Sequence, residues 1–371
     1  MIEWNDIKFA DPESVSTPVM LVYRDIVMNN IDTLCRLACG GGNLLVHVKT
    51  HKSLEVTQFQ LRAGVAGFKT ATLSELEMVL KAGASLAILT YPLAQKRKVQ
   101  RFVELCKTYS DRTVHAIVSQ PLHVDLLAKE GKKHGFCLSA LLDLDVGMLR
   151  TGVAIGKRAE EIYKVLQEGS YTRAAGLHAY DGHDHEPDYG KREGLALAHI
   201  QEVKRFRNIL LGKGWPVDIV VGGGSFSFPF YAREEAILGS PGTAIYWDAG
   251  YSSLLPDMPF KWAAFLLTQV VDSYPEKLLF TTDLGNKAVA PDKPLEQRVF
   301  LPSVPNARLI SQNEEHGVFK ANPETLPQVG DYLLAVPGHI CPTTIKYPYS
   351  LWVDAGGNVT GVNQHTARDR Q

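Results

Sequence analysis

Between about residues 17 and 248, short apolar runs alternate with longer amphipathic stretches, and this alternation constrains the fold of the 371-residue chain more than any other feature. The runs at 44–49, 66–70, 86–91, 114–118, 137–145, 174–180 and 219–223 are mostly apolar instead of alternating. A strand with one wet face must alternate, whereas a strand covered on both faces need not, so these runs predict a parallel sheet between helices. The stretches 25–38, 72–82, 93–106, 121–133, 158–167 and 190–211 have the spacing of those helices. With 18–23 or 244–247 as an eighth strand the count suits a (β/α)8 TIM-like barrel. An open doubly wound sheet is the alternative use of the same units. After Asp248 prolines, glycines and short runs at 277–283, 299–302, 332–336 and 350–354 predict a separate C-terminal β domain.

Charge and cysteine content narrow the function classes. Thirty-nine basic against forty acidic residues give a formal net charge of −1, with the signs interspersed, which favours a small-molecule partner and no nucleic acid or anionic membrane. No apolar run approaches the roughly 20 residues that cross a bilayer, and residues 1–18 lack the pattern of a signal peptide. Five cysteines without framework spacing read as thiols of a reducing cytoplasm.

Five segments carry groups suited to chemistry. His47-Val-Lys49-Thr-His51-Lys52 follows an apolar strand, at the end of a barrel where active sites form. Low-dielectric walls and cationic neighbours lower a lysine's pKa and free its amine to attack an aldehyde, although a basic surface loop has the same composition. Gly222-Gly223-Gly224-Ser225 offers backbone amides and a hydroxyl to an anion, or is an ordinary turn. Arg150, after Asp143 and Asp145, is placed to hold a carboxylate or cofactor oxygen, or to pair with those aspartates. Tyr180-Asp-Gly-His183-Asp-His185-Glu has the donors for a metal or a general base, as well as the polarity of a solvated loop. In Pro337-Gly-His339-Ile-Cys341, an extended backbone would turn the imidazole and thiol to the same side, toward one catalytic metal. A structural cysteine beside a hydrogen-bonded histidine is the plainer reading.

Taken in order, these segments resemble the D-threonine aldolase and D-serine dehydratase family of pyridoxal phosphate (PLP) enzymes built on the alanine racemase barrel. His-Val-Lys-Thr-His-Lys is the most specific element, and the match runs from Ser16-Thr-Pro18 to the closing β domain. The resemblance implies a PLP barrel over 17–245 and a β domain from 1–16 and 246–371. It implies that Lys49 forms the Schiff base, Arg150 lies near the phenolic oxygen, Tyr180 near the ring, and Gly223, Gly224 and Ser225 at the phosphate. His339 and Cys341 match the pair holding a divalent metal (Zn, Mn or Mg) near the substrate's 3-hydroxyl. Glu315-His316-Gly resembles a further family segment with no assigned role. A homodimer acting on a small amino-acid substrate is also implied.

Two departures matter. Dehydratase-like members usually carry Arg-Pro where this chain has Leu45-Val46, and Ser240 stands near where alanine racemases set an arginine against the pyridine nitrogen. Without that cation the nitrogen is freer to hold a proton and the ring is a better electron sink, which weakens a racemase reading. His-x-Cys is closer to the dehydratase branch and Tyr-Asp-Gly-His to the aldolase branch, with His183 as the hydroxyl's base. The expected reaction is retro-aldol cleavage of a D-3-hydroxy amino acid to glycine and an aldehyde. Dehydration of D-serine or D-threo-3-hydroxyaspartate is the alternative, ahead of racemisation or a non-catalytic PLP carrier.

Overall fold

The computed structural model describes residues 7–370, so the first six residues of the expected 1–16 segment, and residue 371, lie outside it. The chain divides into two compact units. One holds Leu34–Lys49 and Val56–Gly242; the other holds the residues up to Thr33, Thr50–Glu55 and Thr243–Arg368.

The chain enters through strand β1 (Val19–Tyr23) and helix α1 (Arg24–Leu37). The first unit then alternates β2 (Leu45–His47), α2 (Leu54–Arg62), β3 (Gly67–Thr70), α3 (Leu73–Lys81), β4 (Leu86–Leu89), α4 (Lys96–Thr108), β5 (Thr113–Val118) and α5 (Pro121–His134). It continues through β6 (Leu138–Asp145), the two-residue β7 (Val153–Ala154), α6 (Lys157–Glu168), β8 (Thr172–Ala179), α7 (Tyr189–Gly212), β9 (Ile219–Gly222), α8 (Phe228–Ala232) and β10 (Ile237–Gly239). Eight strands pair in parallel in the order β2-β3-β4-β5-β6-β8-β9-β10, with β7 against the end of β6. A parallel bridge between Leu44 and Gly239, and the 2.8 Å bond from the His47 amide to the Pro241 carbonyl, bring the ends of the sheet together. The result is a nearly closed barrel, not an open sheet.

Local sequence sets the helix ends. Thr72 Oγ1 accepts the Glu75 amide at 3.1 Å while the Glu75 carboxylate reaches back to the Ala71 amide at 2.6 Å, a capping-box arrangement that starts α3 directly after β3. Asp188 accepts the Lys191 amide at the start of α7. Pro121 occupies the first turn of α5, and Gly135, in the left-handed region, ends it.

The eighth strand is neither expected candidate. Val19–Tyr23 pairs antiparallel with β11 (Ala264–Tyr274) and parallel with β17 (Tyr349–Val353) in the other unit, and Thr243–Ile245 is a 3-10 turn. The place is taken by Ile237–Gly239, too short to show a period. The fully apolar run at 19–23 has a different cause: all five residues are buried in the middle of a second sheet.

That sheet has the order β14-β15-β12-β11-β1-β17-β18, with β16 pairing β11 and β13. Its further strands are β12 (Leu279–Thr282), β13 (Val299–Phe300), β14 (Arg308–Gln312), β15 (Gly317–Lys320), β16 (Tyr332–Pro337) and β18 (Val359–Gln364). Helices α9 (Ala249–Leu254) and α10 (Ile340–Thr344) complete the unit. Among the described residues no helix is long and apolar enough to cross a membrane.

Leu45, Ile88, Ile117, Leu141, Ala175 and Val221, from six barrel strands, form one buried cluster. Two residues further along four of those strands come His47, Thr90, Ser119 and Asp143, so each inward row changes from apolar to polar toward its C-terminal end. Leu141→Ala is expected to cost about 2–5 kcal/mol of unfolding free energy in a urea titration, because the closed sheet cannot collapse into the gap.

Candidate active site

The polar ends of the barrel strands surround a cavity of about 700 Å³. Pairs of residues two apart line it: His47 and Lys49, Lys69 and Ala71, Ile117 and Ser119, Asp143 and Asp145, His178 and Tyr180. This is the period of two of a β-strand, repeated around the mouth of the barrel.

Three cationic side chains converge on one phenol ring. Lys49 Nζ lies 6.0 Å, Lys69 Nζ 5.2 Å and the Arg150 guanidinium 5.2 Å from the centre of the Tyr180 ring. Lys49 sits in the 3-10 turn Val48–Thr50, directly after β2, with its amide donating to His47 Nδ1 at 3.2 Å. Lys69 is 2% exposed, and burial, followed by the charge of Lys49, pushes its amine down to about 7.

Behind these cations lies a buried pair. His178 Nδ1 meets Asp143 Oδ1 at 2.6 Å, which assigns the ring's proton to Nδ1 and leaves a lone pair on Nε2. Burial, with the charge of Lys69, holds the imidazole's pKa below its usual value despite Asp143, so the ring is neutral near pH 7. His178 Nε2 and Asp143 Oδ2 are buried without hydrogen-bond partners among the described residues. Unpaired buried polar atoms are costly, so this pair is a place where the barrel carries unsatisfied polarity. His123 also lines the cavity, with Nδ1 accepting the Ser119 amide at 3.2 Å, and burial lowers its pKa too.

The glycine run follows β9. A Cβ on Gly222 would fall 2.2 Å from the Tyr231 ring, and one on Gly224 would fall 3.0 Å from Tyr180, so only glycine lets this backbone pass beside the ring. Ser225 Oγ accepts the Gly242 amide at 3.4 Å. Ser240 Oγ donates to the Leu45 carbonyl at 2.8 Å, so its oxygen lone pairs are what remain for another partner.

The structure therefore brings Lys49, Arg150 and Tyr180 to one cavity and sets Gly224 against Tyr180. His183 is not among the lining residues; its Nε2 lies 3.3 Å from Asp184 Oδ1. Sequence reasoning missed Lys69 and His178 and named Asp143 only as a possible ion-pair partner. The available signal was a charged or imidazole side chain inside an otherwise apolar strand.

His339 and Cys341 belong to the other unit. The segment is not extended: His339 precedes the short helix α10, and Cys341 lies in that helix's first turn. The two still meet, because the imidazole is hydrogen-bonded to the thiol. Burial alone would lower the His339 pKa, but Cys341 and Asp292 outweigh it and raise it to about 9. Asp292 Oδ2 lies 2.5 Å from His339 Nδ1, and Thr50 Oγ1 lies 3.2 Å from Cys341 Sγ. Buried Asp248 accepts both the Tyr251 and Ile340 amides and fixes the start of α10. An imidazole backed by a carboxylate on Nδ1, beside a thiol, is a donor set that fits a divalent metal. Glu315 pairs with Lys287 at 3.0 Å on an exposed surface, and the His316 carbonyl accepts the Asn313 amide in the turn between β14 and β15.

The chain belongs to the family described as alanine racemase, N-terminal domain, which matches residues 22–249; a serine dehydratase domain matches residues 263–353. Within that class it is similar to a 3-hydroxy-D-aspartate aldolase of Paracoccus denitrificans, 27% identical over 93% of this chain and 90% of that protein. It is 23% identical to a D-threo-3-hydroxyaspartate dehydratase of a Delftia species, over 93% and 96%. The crystal structure of D-threonine aldolase from Filomicrobium marinum has the same fold, with a TM-score of 0.86 at 24% identity over 95% of this chain and 96% of that one.

The lowered pKa of Lys69 has a measurable consequence. Its folded pKa is depressed, so the ionised amine destabilises the fold fully below about pH 7, and the penalty fades as pH rises toward the free value of 10.5. Lys69→Met is expected to stabilise the cofactor-free protein most near pH 6 and little near pH 10, as read by urea unfolding. An equal gain at both pH values would show that packing, not charge, is responsible.

Proposed function

We propose that this protein is a PLP-dependent lyase that cleaves the Cα–Cβ bond of an acidic D-3-hydroxy amino acid, giving glycine and an aldehyde. The observation that carries the reading is the convergence of Lys49, Lys69 and Arg150 on Tyr180 at the mouth of an alanine racemase-type barrel. A primary amine, an aromatic platform, a bidentate cation and a glycine turn together fit an anionic pyridine aldehyde. When bound through Lys49, PLP would supply an electron sink for the pair that bond cleavage leaves on Cα.

The protein's own groups divide the remaining work. Arg150 orients the cofactor's phenolic oxygen, Tyr180 carries the ring, and Gly223, Gly224 and Ser225 hold the phosphate. His178 is assigned the proton that leaves the substrate, because it is a lining residue whose Nδ1 is held by Asp143, which would stabilise the charge that forms on the ring. His183 is not given that task, since it lies off the wall.

The cavity's charge supports an acidic substrate. Lys49, Lys69 and Arg150 face it against Asp143 and Asp145, of which Asp143 is bound to His178 and Asp145 accepts the Gly147 and Leu149 amides. With Lys49 and Arg150 committed to the cofactor in this reading, Lys69 is the cation left for a second carboxylate. In this reading His339 and Cys341 would hold a divalent metal, with Asp292 orienting the imidazole and the ion supplying Lewis-acid chemistry.

The His339-x-Cys341 pair favours a second reading, dehydration to a 2-keto acid and ammonia, which is the activity named for the Delftia relative. A product assay on D-threo-3-hydroxyaspartate, D-threonine and D-serine separates them. Glycine is expected, with the acidic substrate turned over best; ammonia with a 2-keto acid would sink the aldolase reading.

Borohydride reduction of the PLP-loaded protein followed by peptide mapping is expected to place the pyridoxyl label on Lys49, and a label on Lys69 would refute the assignment. His178→Asn is expected to lower kcat by about 10²–10⁴-fold while the label on Lys49 persists.

A further inference from the structure

We infer that the barrel carries a second divalent-metal site of the Zn²⁺ type, formed by His183, Asp184 and His199 and separate from the His339–Cys341 pair. His183 and Asp184 lie in the loop after β8, and His199 projects from α7. One ligand atom from each side chain lies within 4.8 Å of those of the other two. Asp184 Oδ1 is 3.3 Å from His183 Nε2, and Asp184 Oδ2 is 2.9 Å from His199 Nε2. Ligands at about 2.0–2.2 Å from a zinc ion stand roughly 3–3.5 Å apart, so small rotations close these atoms around one ion.

The surroundings favour a cation at this point. The three side chains are only 16–30% exposed, so the charges are partly desolvated. The buried Asp181 carboxylate acts electrostatically on both His199 and Asp184 and adds to the negative field. Gly147 covers the Nε2 edge of His183, and a Cβ there would lie 2.7 Å from that nitrogen; glycine, with φ of +124°, leaves the edge open. Two imidazole nitrogens and one carboxylate suit Zn²⁺ or a neighbouring first-row ion better than Mg²⁺, which prefers an all-oxygen shell. Three protein ligands leave one position for water.

Such an ion would fasten the loop that begins at Tyr180 to α7 and hold it beside Gly147, three residues before Arg150. Its role is to stiffen the rim from which Tyr180 and Arg150 reach the cavity, and it takes no part in bond cleavage. The site does not depend on the proposed reaction.

The test uses the PLP-loaded His339→Ala/Cys341→Ala protein, stripped with chelator and titrated with ZnCl₂ by calorimetry. One equivalent of Zn²⁺ is expected to bind, and Co²⁺ in its place should give d–d bands without thiolate charge transfer. Adding His199→Ala should weaken Zn²⁺ binding by about tenfold or more, and the near-isosteric Asp184→Asn should do the same if His199→Ala misfolds. No bound Zn²⁺ in the double variant, or binding unchanged by His199→Ala or Asp184→Asn, would overturn the proposal. Either failure would leave the PLP reading intact, since the borohydride map on Lys49 tests that separately.

Discussion

Closure of a parallel sheet is the constraint on which the rest of the barrel depends. When all eight strands run in one direction, their C-terminal ends share one mouth, and the period of two sends alternate side chains inward. The inward residues on six strands are apolar below, where Leu45, Ile117 and Leu141 pack, and on four of them polar two residues above, where His47, Ser119 and Asp143 line the cavity. Closure rests on short contacts, the Leu44–Gly239 bridge and the bond from the His47 amide to Pro241. The second of these lies two residues before Lys49, so the bond that helps close the barrel also fixes where the Lys49 side chain emerges.

The same geometry explains the electrostatics. Three cationic side chains beside one phenol ring repel each other in a dry site, and burial first, then the charge of Lys49, lowers the Lys69 amine pKa to about 7. The opposing carboxylates are already engaged: Asp143 by His178, Asp145 by two backbone amides. An anionic guest would relieve the repulsion among these cations.

Much of this was legible in the chain. The doubly covered strands and their helices follow from apolar runs and capping residues, and seven of the eight barrel strands could be placed by that signal alone. The eighth could not, because Ile237–Gly239 has three residues and no period, whereas the more apolar 19–23 is buried for another sheet's sake. Lys49 and Arg150 stood out because they follow strand ends within charged motifs. Lys69 and His178 did not, since a single polar residue inside an apolar strand has no neighbours to mark it.

What the sequence determined by itself is the order of elements, the place of Lys49 directly after a barrel strand and the likeness to one enzyme family. These depend on local periodicity and on residues close together in the chain. Only the tertiary structure decided which strand completes the barrel, that Lys69 lies beside the Lys49 site, that Asp143 and His178 pair 35 residues apart, and that His183 turns to Asp184 and away from the cavity. Those facts depend on register between strands and on the depth of each side chain below the barrel's mouth, neither of which a one-dimensional pattern encodes.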